Sequence, residues 1–365
     1  MTTDPAGPST YAGAGVDTDA AADGLSGLLH WVKQTLAYRE GVGEPIVPIG
    51  FFASVLRLTD RLALAVSTDG VGSKAVVAQL AGRYESIGVD CVAVNVNDIL
   101  CVGAEPVALV DYISCQFPHA DLLEQLGKGL HDGAVLARIA VTGGELSQHP
   151  DTLVGPRDGY AFDIAGTALG VLDGREPITG DAVGPGDAIL GMTSNGIHSN
   201  GLTLARAVLF GKGGQGIDRY LSECGRTAGE ELLRPTAIYA AEVAALLHSN
   251  VRVHGLAHIT GGGLLNLARL HASAGYRITS LPPIPPVFQV IQSEGGVASA
   301  EMFRVFNMGV GFCAVVDSRD ADSAMAAVAS AGGGAHVIGH VVDDSRRRVE
   351  IAEWGLVGQD GTFAG

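Results

Sequence analysis

The sequence predicts a mixed α/β chain divided into two domains, and three observations carry that prediction. The chain has 365 residues, more than one hydrophobic core ordinarily organises. Short apolar runs bounded by glycine, which suit buried strands, alternate with longer stretches of helical period. Between the halves, residues 173–187 carry Pro177, Pro185, Gly174, Gly180, Gly184 and Gly186, a composition that continues neither helix nor strand. The expected organisation is a flexible tail over 1–9, an N-terminal domain over 10–172, a connector over 173–187, a C-terminal domain over 188–353 and a flexible tail over 354–365.

In the first domain, strands are expected over 62–66, 89–96, 107–113, 139–141 and 162–171, because each run is apolar and ends near a glycine or a polar residue. Residues 122–136 repeat their apolar positions with helical spacing and predict a helix. The second domain should open with a strand over 188–192 and helices over 201–209 and 236–247. A strand over 309–316, a helix over 320–331 and a last strand over 337–342 complete it.

Composition excludes several functions. The chain is 47% hydrophobic with a mean hydropathy of +0.28, yet no uninterrupted apolar run reaches the ~20 residues of a membrane-spanning helix. The first residues lack a basic segment followed by an apolar one, so export is not expected and a cytoplasmic location is. Cys91, Cys101, Cys115, Cys224 and Cys313 lack metal-ligand spacing and read as reduced thiols, mostly in the core. A net charge of −16 leaves no basic stripe for a nucleic acid, and no membrane partner is expected.

The most specific stretch is Ser67-Thr68-Asp69-Gly70-Val71-Gly72-Ser73-Lys74. An apolar strand delivers the chain to Asp69, and Gly70 and Gly72 permit backbone shapes that let N–H groups converge on an anion. Lys74 would supply a point charge to a transferring phosphoryl group. Taken alone, the octapeptide also fits a glycine-rich hairpin with a solvated lysine. Asn97 with Asp98, and Gly143-Gly144-Glu145, repeat the theme of polar residues at the ends of apolar runs. Asp69, Asp98 and Glu145 together form an oxygen-rich set suited to Mg2+.

Two loops in the second half offer an anion grip. Ser194-Asn195-Gly196-Ile197-His198-Ser199-Asn200-Gly201 precedes a helix for which Ser199 and Asn200 are natural N-caps. His198 can donate to a phosphate or exchange a proton near neutral pH. His258-Ile259-Thr260-Gly261-Gly262-Gly263 is a second such loop, its glycines permitting close approach of backbone to phosphate. Asn307 either offers its amide to a ligand or forms a turn.

These stretches, together with Gly88-Val89-Asp90, Gly103-Ala104-Glu105-Pro106 and Phe306-Asn307-Met308-Gly309-Val310-Gly311, stand in an order that resembles the phosphoribosylformylglycinamidine cyclo-ligase (AIR synthetase) family. The likeness runs from about residue 10 to about residue 350. The wider superfamily includes hydrogenase maturation factors, selenophosphate synthetase and thiamine-monophosphate kinase. The resemblance implies an N-terminal domain whose sheet forms a barrel with its twin in a homodimer, and a C-terminal α/β domain. It implies ATP-dependent closure of formylglycinamidine ribonucleotide to 5-aminoimidazole ribonucleotide through an iminophosphate, with Mg2+. Asp69, Lys74 and His198 would be catalytic. Asp69, Gly70, Gly72, Lys74, Asn97, Asp98, Gly143, Gly144 and Glu145 would hold the nucleotide, the three acids through the metal. His198, Ser199, Asn200, Thr260, Gly261, Gly262, Gly263 and Asn307 would hold the ribonucleotide.

The chain departs from the family pattern in three places. Tyr11-Ala12-Gly13-Ala14-Gly15-Val16-Asp17 lacks a lysine and an acid usual near the N-terminus, and residues 49–53 and 146–150 also differ. Either a divergent cyclo-ligase or a paralogous ATP-dependent ligase or small-molecule kinase with another acceptor accounts for these changes.

Overall fold

The computed structural model describes residues 9–16, 18–211 and 214–365. Residues 1–8 of the expected tail, and Asp17 of the altered segment, lie outside the described residues. The first half runs through α1 (Thr18–Gln34), β1 (Ser54–Arg57), β2 (Leu62–Gly70), α2 (Lys74–Ala81), α3 (Glu85–Leu100), β3 (Glu105–Cys115), α4 (Ala120–Ala137), β4 (Ala140–Gln148) and β5 (Phe162–Asp173). Its five strands lie in the order β1-β2-β5-β3-β4. The β3–β4 pair is parallel and the others antiparallel. Alternation along β5 sends Phe162, Ile164, Ala168 and Leu172 into the core, the period of two that one covered sheet face requires.

The strand expected over 89–96 is instead the middle of α3. Valines at 89, 92, 94 and 96 favour a strand by propensity, but the segment is buried on all sides from Ile87 to Asn97, and packing decides. Glycines let it pack so closely. A Cβ on Gly129 would stand 1.9 Å from the Glu85 carbonyl oxygen of α3, and one on Gly170 would stand 2.3 Å from Ile99. Helix α3 is thereby pressed between the sheet and α4.

The second half contains β6 (Ala188–Thr193), α5 (Leu202–Leu209), β7 (Tyr220–Leu221), β8 (Arg226–Thr227), α6 (Ala228–Leu232), α7 (Ala240–Leu247), β9 (Val253–His258) and β10 (Gly275–Ile278). It continues with α8 (Pro286–Gly295), α9 (Ser299–Val305), β11 (Val310–Val316), α10 (Ala321–Ser330), β12 (Ala335–Val342), β13 (Val349–Ile351), β14 (Leu356–Gln359) and β15 (Thr362–Ala364). Eight strands form one sheet in the order β15-β14-β13-β10-β12-β6-β11-β9, and β7 pairs with β8. Every residue of β11 is buried, as a central strand covered on both faces should be.

Two expectations for this half are corrected. Helix α7 starts at Ala240, not 236, because Pro235 interrupts the backbone and the N–H groups of Thr236 and Tyr239 are committed to side chains of α3. Residues 354–365, expected to be a flexible tail, contain β14 and β15, and Phe363 packs at 6.3 Å between ring centroids on Phe303. Apolar Leu356 and Phe363 give these strands a buried face.

Candidate nucleotide and substrate site

Strand β2 ends at the glycine turn, where Asp69 Oδ1 accepts the Gly70 N–H at 2.8 Å. Gly72 has φ +66° and open space where a Cβ would be, so this bend needs glycine for its backbone, not for packing. Asn95 of α3 fixes the turn by donating to the Asp69 carbonyl at 3.1 Å. One turn further along α3, Asp98 is held by His258 at the end of β9, with 2.9 Å between Nδ1 and Oδ1. Asp69 retains a solvent-facing side, yet the protein packed around it raises its carboxyl above the ordinary range. The Gly70 N–H opposes that rise, and the nearby charge of Asp98 adds to it.

Two neighbouring carboxylates, each with an oxygen fixed by a donor, suit a cation that completes its shell with water and phosphate, as Mg2+ does. The third expected ligand is not brought to them. Asp69 pairs with Gly166 on β5, Gly166 with Asp111 on β3, and Asp111 with Gly144 on β4. Glu145 therefore lies three strand spacings away, roughly 14 Å at the usual separation. Gly143, Gly144 and Glu145 all sit on this exposed edge strand. Among the described residues no group of three or more His, Cys, Asp or Glu is disposed to hold a metal.

Lys74 also requires correction. It is fully buried, paired with Asp90 of α3 at 2.8 Å, and it donates to the Arg234 carbonyl at 2.5 Å. Burial pushes its pKa down, with Asp90 opposing. An ammonium so placed faces the interior and the second domain, and offers no open face to a phosphate. Asp90 repays its own burial by accepting from Thr236 N–H and Thr236 Oγ1, each at 2.7 Å.

The loop at 194–201 is held by its neighbours. Ser199 and Thr236 hydroxyls are 2.9 Å apart, Asn195 donates to the Pro235 carbonyl at 2.9 Å, and Thr203 of α5 donates to Ser73 at 3.0 Å. Neither Ser199 nor Asn200 caps α5. The cap is Gly201 at φ +76°, where a Cβ would meet the Phe306 ring at 2.3 Å. Tyr11 is tied to α9, its N–H donating to Glu301 at 2.7 Å. His198 is buried at φ +64°, and neither ring nitrogen has a protein partner. Burial, and then the charges of His258, Lys74 and Arg234, hold its pKa well below the ordinary value, so the ring is neutral.

The second loop divides in function. Gly261 faces the first loop, since a Cβ there would stand 3.4 Å from Asn200 Oδ1. Gly262 at φ +99° is half-buried, and Thr260 lies 3.4 Å from Asn266 Nδ2. Gly263 is buried, and a Cβ there would collide with the Phe303 carbonyl at 2.1 Å, which makes it a packing glycine. Asn307 is likewise turned inward. Its Oδ1 accepts from Ser194 and Gly309, and its Nδ2 donates to the Gly196 and Ile197 carbonyls. Asn307 shapes the first loop from beneath and has no amide group left for a ligand.

Asp90, Asn95, Thr236, Tyr239 and His258 were not picked out from sequence as site residues. A signal existed for the first of them. Asp90 and Asn97, seven residues apart in an apolar run, share one face if that run is read with helical period.

Fold and site together define a two-domain α/β protein in which a glycine turn and a carboxylate pair of one domain meet glycine loops of the other. Residues 52–172 match the N-terminal domain, and residues 184–352 the C-terminal domain, of AIR synthase related protein. A Thermococcus kodakarensis protein named phosphoribosylformylglycinamidine cyclo-ligase is 49% identical over 317 residues, covering 87% of this chain and 90% of its own. One of the same name from Methanothermobacter thermautotrophicus is 46% identical over 334 residues, covering 92% and 94%. The chain belongs to the phosphoribosylformylglycinamidine cyclo-ligase family. Solved structures share its fold at lower identity. Thiamine-monophosphate kinase from Stenotrophomonas maltophilia superposes with a TM-score of 0.61 at 19% identity, covering 90% of this chain and 96% of that one. The hydrogenase maturation protein HypE in complex with ATP gives 0.58 at 20%, covering 83% and 85%.

Proposed function

We infer that the chain is a ligase of purine biosynthesis that closes formylglycinamidine ribonucleotide to 5-aminoimidazole ribonucleotide while ATP goes to ADP and phosphate. The formyl oxygen is a poor leaving group. Its attack on the γ-phosphorus gives an iminophosphate, and the amidine nitrogen of the same molecule then attacks the activated carbon and expels phosphate carrying that oxygen. Such a reaction asks the protein mainly for positioning and for stabilisation of charge on the transferring group.

The observation that carries this reading is the meeting of the Asp69–Asp98 pair with His258 across the seam between the domains. We assign the turn at 69–73 to the triphosphate and the loops at 194–201 and 260–262 to the ribonucleotide. Asp69 and Asp98 would hold Mg2+, which supplies neutralising charge to the phosphoryl oxygens. His198, neutral and with both ring nitrogens unpartnered, would accept the proton shed by the attacking nitrogen. Two copies of the chain are assigned to a homodimer through the exposed strands β3 and β4, where Val107, Val110, Tyr112, Val141 and Leu146 face solvent.

The test is formation of aminoimidazole ribonucleotide, with Mg-ATP binding measured in parallel. Asp69→Asn and Asp98→Asn should each lower Mg-ATP binding or turnover about tenfold or more, equivalent to ~1.4 kcal/mol. Native kinetics in both variants, with the fold intact, would remove the assignment.

A further inference from the structure

Residues 234–239 cross from α6 to α7 as an extended strap, and both edges of it are tied. On one side, Lys74 holds the Arg234 carbonyl, Asp90 holds Thr236, and Asn97 donates to the Ala237 carbonyl at 2.9 Å while accepting the Tyr239 N–H at 3.1 Å. On the other side, Asn195 binds the Pro235 carbonyl, Ser199 binds Thr236, and the Tyr239 hydroxyl donates to the Thr193 carbonyl at 3.0 Å. Lys74 is the first residue of α2, directly after the glycine turn.

We propose that this strap transmits occupancy of the nucleotide turn at 69–73 to the substrate loop at 194–201, with Thr236 as the positioning residue between them. The proposal rests on the assignment of those two segments made above. Lys74, Asp90, Asn97 and Thr236 are all buried, so no water is at hand to replace a bond that lengthens, and a displacement of the turn is passed on. The proton order is fixed as well. Asp90 Oδ1 can act only as an acceptor, so Thr236 gives its single hydroxyl proton to Asp90, and Ser199 must donate to Thr236. That leaves the Ser199 oxygen as an acceptor toward the loop. The lysine that closes the glycine turn thus acts on the ribonucleotide side, through Asp90, Thr236 and Ser199.

Hydrogen exchange of the full chain with Mg2+ and a non-hydrolysable ATP analogue tests this. In the native protein, exchange should slow both at 69–73 and at 194–201. Thr236→Val keeps the size and the backbone N–H of the residue but removes its hydroxyl; it should protect 69–73 and leave 194–201 unprotected, while Thr236→Ser restores both. At saturating ATP, Thr236→Val should also raise KM for formylglycinamidine ribonucleotide about fivefold or more, with KM for ATP changed less than about twofold. Native protection at 69–73 without any at 194–201 would overturn the strap and spare the nucleotide site, as would full protection of both in Thr236→Val. No protection at 69–73 in the native protein would overturn both assignments.

Discussion

His198 shows at the residue scale how burial sets a group's chemistry. Gly311 makes room for it, since a Cβ there would stand 2.6 Å from the imidazole Cε1, and φ +64° is a conformation that Asn tolerates well among non-glycine residues. Burial holds the folded-state pKa well below the ordinary imidazole value of about 6.5. The unfolded chain therefore binds a proton that the native state refuses, and stability is lost as pH falls below the unfolded value toward the depressed folded one. His198→Asn should flatten the pH dependence of the urea midpoint between roughly pH 6.5 and 5, by a slope approaching ~1.4 kcal/mol per pH unit. Identical slopes in the two proteins would mean that the imidazole titrates freely. The bend at Gly72 was legible at single-residue scale because its positive φ demands glycine. Lys74 was misread because a cation beside a glycine turn has the same sequence signature whether it faces a phosphate or a buried aspartate.

At the scale of elements, the loop at 260–263 separates two uses of glycine. A side chain at Gly263 has nowhere to go, whereas one at Gly262 finds its nearest atom at 3.6 Å and is opposed chiefly by φ +99°. Gly262→Val should therefore reshape the loop without breaking the core. We expect a raised KM for the ribonucleotide, about tenfold, with ATP binding nearly unchanged. An unaltered KM would detach the loop from the substrate. Helix α3 carries the opposite lesson about patterns. Its valines spell a strand, and the close approach of Gly88, Gly129 and Gly133 between α3 and α4 makes a fully buried helix the better solution. Once it is a helix, Asp90, Asn97 and Asp98 reach the seam between the domains.

At the scale of the molecule, the site belongs to neither half alone. Asp98 comes from the first half and His258 from the second, and Lys74 and Asp90 hold a segment that leads into α7. The outer strands of the first sheet leave a further apolar surface uncovered, with Tyr112 and Leu146 each 45% exposed. If two copies pair there, Tyr112→Asp with Leu146→Asp should convert a dimer into a monomer in sedimentation velocity, because unpaired carboxylates would be desolvated at the interface. A native chain that sediments as a monomer would end the pairing proposal. Among the described residues, no helix is long and apolar enough to cross a membrane.

The sequence by itself determined seven of the fifteen strands among the described residues, the glycine turn, both glycine loops and the family to which they belong, since these rest on local conformational demands and on the order of short motifs. Tertiary structure decided which polar groups meet. The register across β2, β5, β3 and β4 carried Glu145 away from Asp69. The fold of α3 turned Asp90 toward Lys74, and the hydrogen bonds available inside the loop at 194–197 turned Asn307 inward. Each outcome depends on partners far apart in the chain, and a buried charge or amide goes to whichever distant group satisfies it.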